Sequence, residues 1–373
     1  MKLEYNQQAF FALIRAGLWE KDVHLSHLEK VDFNEVYRFA GEQSLVGLIA
    51  AGIEHVIDVK IPQSVALMFV GDTLQLEQRN KAMNQFVAKL VERLKKEGIL
   101  TLLVKGQGIA QCYERPLWRV SGDVDLFLDE VNYQKAAKLL PAIASNVEEE
   151  DKAIRHLAMN IGEFEVELHG TLCSQTRKSV DKGLMEVQKD TFENERIRVW
   201  HNNNTDVLLP CANNDAVFVF AHIYQHFFSE GIGLRQICDW CRLLWTYKDE
   251  IDKSLLESRL KSMRLMNKWH AFAALAVEYL GMPVDSMPFY SSSNKWKKKA
   301  DGIIALILQS GNFGHAVDKS YKQKYPTIIR AIVAACHHTA VAFGHFLIFP
   351  YDSLLGWKKL MYIGVRSNLK KNK

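Results

Sequence analysis

The chain changes its hydrophobic period once and then changes back, and this bounds the folds open to it. Near the N-terminus Phe10, Phe11, Leu13 and Ile14 recur close to a 3.6-residue period, and so do Phe86, Val87, Leu90, Val91 and Leu94 in a helix predicted from about Leu74 to Glu97. Lys95 and Lys96 fall in its last turn, where cations suit the helix dipole, and Gly98 is placed to end it. Asp32 and Ser64 offer capping points between earlier helices.

From Gly98 the pattern turns to short apolar runs. Ile99 to Val104 (ILTLLV) and Asp123 to Leu128 read as buried strands, with a short helix from about Gln107 to Tyr113 between them, closed by Pro116. Tyr133, Ala136, Ala137 and Leu140 mark another helix. Arg155 to Ile161 and Phe164 to His169 form a hairpin about Gly162-Glu163, a Gly-X turn. Ile197 to Trp200 and Val207 to Leu209 are a second pair, split by the turn-rich loop 201–205. After Pro210 helical spacing returns, with Asn214 or Asp215 as the expected cap of a helix carrying Val217, Phe218, Phe220, Ala221 and Tyr224. Helices follow at Leu234 to Tyr247 and around 255–280, 300–309 and 327–348.

The expected class is α+β: a small mixed sheet flanked by helices, mostly helical overall. The expected division is an N-terminal helical region at 1–97, an α/β core at 98–209 and a C-terminal helical domain with a basic tail at 210–373. The 373-residue length accommodates this. A net charge of +4 excludes neither nucleic acid nor anionic ligands. Cysteines at 112, 173, 211, 238, 241 and 336 are too irregularly spaced for a disulfide framework. The N-terminus lacks an apolar signal-peptide core, so a cytoplasmic setting is expected. The run Ala331 to Phe349 has no Asp, Glu, Lys or Arg, but it carries His337, His338 and His345 and ends at Pro350. It reads as a buried helix; a membrane span, or peripheral attachment through the basic tail, is the less favoured reading.

Asp123 and Asp125 are the chemical anomaly. Two residues apart on a strand, they share one face and repel each other. A divalent cation offsets that repulsion, and Mg²⁺ favours one or two carboxylates plus substrate phosphates. The strand 164–169 supplies further carboxylates: Phe164, Val166 and Leu168 alternate to one face, leaving Glu163, Glu165, Glu167 and His169 on the other. A solvated strand face would alternate in the same way. If this strand lies beside the first, Glu165 or Glu167 completes a three-carboxylate cluster with His169 close by. Lys105-Gly106 follows the first strand, where a glycine lets backbone approach a phosphate.

The string ILTLLVKGQGIAQCYERPLWRVSGDVDLFL resembles the DNA polymerase β type of nucleotidyltransferase, and more closely a bacterial family of uncharacterised nucleotidyltransferases often encoded near surface-polysaccharide genes. VELHG, GIGLRQICDWCRLL and SGNFGH look like further family blocks, so the resemblance covers roughly residues 10 to 315. It implies two-metal phosphoryl transfer, with Asp123 and Asp125 holding Mg²⁺ (or Mn²⁺) against an NTP and Glu167, which precedes the Leu-His of the block, as third carboxylate. It implies Lys105, Gly106 and Arg119 as nucleotide-binding residues. His222, Arg235 and Asp239 would support the cleft, as would Glu165 and His169. Two departures stand out: Lys105-Gly106 replaces the superfamily's Gly-Gly or Gly-Ser, and Asp123 follows Gly106 by 17 residues where about a dozen is usual.

The acceptor is left open among a small molecule, a saccharide, a protein and RNA. The alternative is a non-catalytic protein that binds a nucleotide or a partner on the same fold, in surface-polysaccharide assembly. His222 and His226 lie four apart but without the HExxH pattern of a zinc site. Cys238 and Cys241 read as core cysteines, and Lys295 to Lys299 (KWKKK) as a solvated loop; no stable nucleic-acid binding is expected.

Overall fold

The computed structural model describes residues 3–173, 177–229, 231–311, 343–355 and 357. Its N-terminal part is four helices: α1 (Tyr5–Trp19), α2 (Phe33–Glu42), α3 (Val46–Glu54) and the long α4 (Gln63–Lys96). Asp32 caps α2 as expected, its side chain accepting from the Asn34 N–H at 2.9 Å. The long helix starts well before Leu74, and Ser64 lies inside its first turn, because Pro62 takes the cap position. Its early turns expose Leu67, Val70 and Leu74, so no amphipathic contrast announced them.

Then come β1 (Leu102–Val104), α5 (Gly106–Ala110), β2 (Asp123–Phe127), α6 (Glu130–Leu139), β3 (Asn146–Val147), β4 (His156–Ile161) and β5 (Phe164–His169). The segment closes with α7 (Lys178–Glu193), β6 (Ile197–Asn202) and β7 (Thr205–Pro210). The seven strands form one mixed sheet in the order β3-β4-β5-β2-β1-β7-β6. β2 runs parallel to β5, and β1 parallel to β7; the other pairs are antiparallel. This is the α+β architecture expected, with helical flanks.

One face of the sheet (Leu103, Val124, Leu126, Val166 and Leu168) packs on Met83, Val87, Leu90 and Leu94 of α4 and on Tyr133 and Ala136 of α6. The other face shares a core with the helices before and after the sheet. These are α8 (Ala212–Phe228), α9 (Leu234–Thr246), α10 (Lys253–Ser262), α11 (Met266–Leu280) and α12 (Asn294–Ser310).

Several expectations are corrected. The α7 helix was not foreseen, and it carries Gly183, a residue that disfavours helix interiors. This glycine sits where α7 meets the turn after α10, and a Cβ there would lie 2.2 Å from Met263 Cγ. Asn214 and Asp215 do not cap α8, which begins at Ala212. Both are buried and used in tertiary bonds: Asn214 Nδ2 donates to Thr191 Oγ1 at 2.8 Å, and Arg198 donates to Asp215 Oδ2 at 2.5 Å. KWKKK is not a loop but the start of α12, where Trp296 and Ala300 begin a buried stripe and Lys297 pairs with Glu278 at 2.9 Å. Cys238 and Cys241 are buried and free, as core cysteines. Most of the run 331–349, Cys336, all but the start of SGNFGH and the basic tail lie outside the described residues. Among the described residues no helix is long and apolar enough to cross a membrane.

Candidate metal centre

The site grows from the register of β2 and β5. Their pairing sets Asp123 beside Glu165, Asp125 beside Glu167 and Phe127 beside His169, so the acidic positions of both strands share one face. Oxygens of Asp123, Asp125 and Glu167 all lie within 4.8 Å of one another. Glu165 is exposed and falls outside that group, at the open end of the pairing.

Asp125 is only 1% exposed, so its charge needs compensation. Lys105 Nζ lies 2.6 Å from Asp125 Oδ1, and His169 Nε2 lies 2.7 Å from the same oxygen. Burial works against the Lys105 ammonium, but Asp125, Asp123 and Glu167 together raise its pKa. Burial likewise opposes the His169 imidazolium, and bonds to Asp125 and Glu167 outweigh it, raising its pKa. For Asp123 the charge of Asp125, then burial, raises the pKa, with Lys105 only partly offsetting them. The repulsion anticipated from the sequence thus falls on Asp123 in this geometry. Glu167 goes the other way: burial would raise it, but hydrogen bonds from His156 and His169 and the charge of Lys105 hold it well below the usual carboxylate range.

The Lys105 backbone sits at φ 55°, ψ −143°, and Gly106 follows at φ 37°. A side-chain-bearing residue there stores about 1–3 kcal/mol of strain. The turn that stores it brings the Lys105 ammonium to Asp125. A Cβ on Gly106 would come within 3.4 Å of the Asp123 carbonyl, so the backbone passes close to the start of β2.

The segment leading into β2 is held from both sides. Asn80 of α4 donates to the carbonyls of Leu117 and Arg119 at 2.7 and 2.8 Å, and Gln107 donates to Asn80 Oδ1 at 2.9 Å. Arg119 does not present its guanidinium to the carboxylate face. Its Nε and Nη2 donate to the two oxygens of Asp239 at 2.8 and 2.7 Å, and its Nη1 donates to Ser121 Oγ and the Val120 carbonyl. Tyr113 completes the knot by donating to Asp239 Oδ1 at 2.8 Å. Asp239 therefore bonds Arg119 from the loop, not the Arg235 four residues before it.

Arg235 donates through Nη1 to the Val120 carbonyl at 3.1 Å, while its buried Nε has no hydrogen-bond partner among the described residues. Burial and then Arg119 lower its pKa, against the pull of Asp239 and Asp123. His222 stacks edge-on against His226 with centroids 4.3 Å apart. Burial, then Lys105, His226 and His169, keep His222 neutral, far below the usual imidazole value. Among the described residues these two join no group of three or more convergent ligands.

Sequence reasoning missed His156, Asn80 and Tyr113. The first was within reach: a hairpin turning at Gly162-Glu163 sets His156 directly opposite His169. Its Nε2 lies 3.1 Å from Glu167 Oε2, on the same face as the acids. Asn80 sits in a helical segment whose sequence gives no chemical signal, and Tyr113 lies inside the family-like string, but its partner Asp239 comes from a distant helix.

Three carboxylates converging on one face suit a hard divalent cation, which oxygen ligands hold well. Comparison with curated proteins finds no match, and neither does comparison with solved structures. A family model described as "uncharacterised nucleotidyltransferase" matches residues 29–281, a stretch that contains the whole sheet and the carboxylate face. The chain therefore belongs to the uncharacterised nucleotidyltransferase family.

Proposed function

We propose that this chain is a Mg²⁺-dependent nucleotidyltransferase that moves a nucleoside monophosphate from an NTP to an acceptor hydroxyl or phosphate. The observation that carries it is the convergence of Asp123, Asp125 and Glu167 within 4.8 Å, inside the family match. The unrelieved repulsion that raises Asp123 is what a bound cation removes, so the residues fit Mg²⁺ or Mn²⁺. When bound, the cation supplies charge neutralisation on the triphosphate and on the attacking and leaving oxygens.

The chain's own residues do the rest. Asp123 and Asp125 form the base of the site on a strand anchored by Val124 and Leu126, which are packed beneath it. Glu167, whose pKa His156, His169 and Lys105 hold low, acts as an anion and a weak base in this reading. It favours loss of the acceptor proton through its charge. Lys105 neutralises phosphate charge, and Arg235, with its buried Nε, is better placed than Arg119 to assist it. Arg119 acts through Asp239 to position the loop before β2. The sheet segment 98–209 is the nucleotide-binding unit in this reading, and the helical flanks shape the acceptor pocket.

The non-catalytic reading has one observation in its favour: Lys105 and His169 already sit on Asp125 Oδ1. Calorimetric titration with each NTP and Mg²⁺, followed by pyrophosphate release across an acceptor panel, separates the two. Turnover is expected, and Asp123→Asn should lower it at least about a hundredfold while the fold survives, the scale of one lost electrostatic contact to the transition state. Full activity in both Asp123→Asn and Asp125→Asn would sink the proposal, and nucleotide binding without pyrophosphate release would favour the non-catalytic reading.

A further inference from the structure

Beside the three carboxylates lies a second convergence with different chemistry. His156 on β4 and His169 on β5 face each other across the antiparallel pair, with ring centroids 5.0 Å apart. Both aim Nε2 at the same oxygen, Glu167 Oε2, at 3.1 and 3.2 Å. The three ligand atoms lie within 4.8 Å of one another.

These contacts admit two physical readings. As charge-assisted hydrogen bonds, 3.1 and 3.2 Å are long; about 2.7–2.9 Å is usual for a cationic N–H to a carboxylate. The nearby His169–Asp125 contact, at 2.7 Å, shows what such a bond looks like in this site. As edges of a coordination polyhedron the distances fit. Ligand atoms about 2.1 Å from one cation stand about 3.0–3.4 Å apart, from octahedral to tetrahedral angles.

The donor set then selects the ion. Mg²⁺ takes oxygen ligands and keeps its waters, whereas two imidazoles and one carboxylate suit a borderline transition cation. The side chains of His156, Glu167 and His169 are 28%, 21% and 18% exposed, so an ion can reach them and water can fill the remaining positions.

We infer that His156, Glu167 and His169 form a separate binding site for a divalent transition-metal ion of the zinc and manganese class, alongside the carboxylate site and sharing Glu167 with it. The inference rests on the proposed function only through that shared carboxylate. On loading, His169 Nε2 leaves Asp125 for the ion, and Asp125 keeps Lys105 as its partner. The ion thus frees one position on Asp125 Oδ1, the oxygen that His169 and Lys105 otherwise occupy together.

The test is equilibrium dialysis of the full chain against Zn²⁺ and Mn²⁺ in excess Mg²⁺, with bound metal counted by atomic emission. Wild type should retain Zn²⁺ that Mg²⁺ does not displace. His156→Gln should weaken that binding at least about tenfold, the lower end of what disturbing a metal's surroundings costs. Asp123→Asn should leave it in place. No retained Zn²⁺ in wild type, displacement by Mg²⁺, or equal Zn²⁺ binding in His156→Gln would each overturn the inference. If circular dichroism shows His156→Gln unfolded, anomalous scattering from zinc-soaked wild-type crystals decides: a peak between the two imidazoles supports the site, and a peak elsewhere or none refutes it. Nucleotide binding with Mg²⁺, titrated separately, reports on the proposed function. Its failure leaves the zinc result standing on its own.

Discussion

At the scale of single residues, the Arg119–Asp239 pair governs how the site is built. Both groups are buried, at 6% and 4% exposure, so neither charge has water to fall back on. Burial would raise Asp239, but Arg119, by charge and by hydrogen bonding, holds it below the usual carboxylate value. Removing one partner strands the other, at a cost of about 3–5 kcal/mol. Asp239→Asn should therefore lower the free energy of unfolding by about that much, read from urea denaturation midpoints. An exposed pair would cost under about 1 kcal/mol, and a loss that small would refute the burial argument. The same reasoning explains why Arg119 looked like a phosphate ligand. An arginine four residues before an Asp-x-Asp pair is ambiguous in sequence, and Asp239, brought from a distant helix, gives it a partner.

At the scale of elements, the N-terminal layer depends on close helix contact. α1 crosses α3 at Gly17 and Gly52, where a Cβ would come within 2.2 Å of the Leu48 carbonyl and 2.1 Å of the Leu13 carbonyl. Gly52→Ala gains about 1 kcal/mol of helix propensity. It also drives a methyl into backbone that cannot rotate away, and overpacking of this kind costs about 1–3 kcal/mol. The clash should win, and a lower melting temperature for Gly52→Ala checks it; an unchanged or higher one would refute the contact. The strands were easier to read than these helix contacts. The two hairpins and the alternation in FEVELH were visible because a period of two needs only a few residues to show. The first hairpin's register followed from its Gly-X turn, whereas the second turns at 203–204, inside the loop expected at 201–205, because His201, Asn202 and Thr205 pair in the ladder. The β2–β5 pairing that unites Asp125 with Glu167 is parallel and long-range, so sequence could state it only as a condition. Helix α7 was hidden because its glycine serves a neighbour that sequence does not name. The early turns of α4 were hidden because their apolar residues face outward.

At the scale of the whole molecule, the helices before and after the sheet are one body of side chains. Arg15 and Trp19 of α1 donate to the carbonyls of Tyr279 and Leu280 at the end of α11, at 3.1 and 2.7 Å. Gln43, after α2, donates to the Ile307 carbonyl at 3.2 Å and accepts from the Leu234 N–H at 2.9 Å. The end of the apolar run joins this core through His345, whose ring lies 4.6 Å from Phe227 and 5.4 Å from Phe228 of α8. Burial there lowers the His345 pKa from 6.5 to about 4, so the folded protein holds the imidazole neutral. The unfolded chain binds the extra proton first. His345 thus contributes stability that is fully present above about pH 6.5 and is lost as pH falls toward about 4. The shift corresponds to about 3 kcal/mol once the pH lies below both values. His345→Leu keeps the ring contacts apolar and removes the titration. Urea unfolding at about pH 7.5 and about pH 4.5 should show wild type losing about 2 kcal/mol more than the variant between the two conditions. His222, also held neutral by burial and nearby cations, adds acid sensitivity to both proteins equally and cancels in the difference. Equal losses in wild type and His345→Leu would mean that the C-terminal segment is not packed against Phe227 and Phe228 in solution.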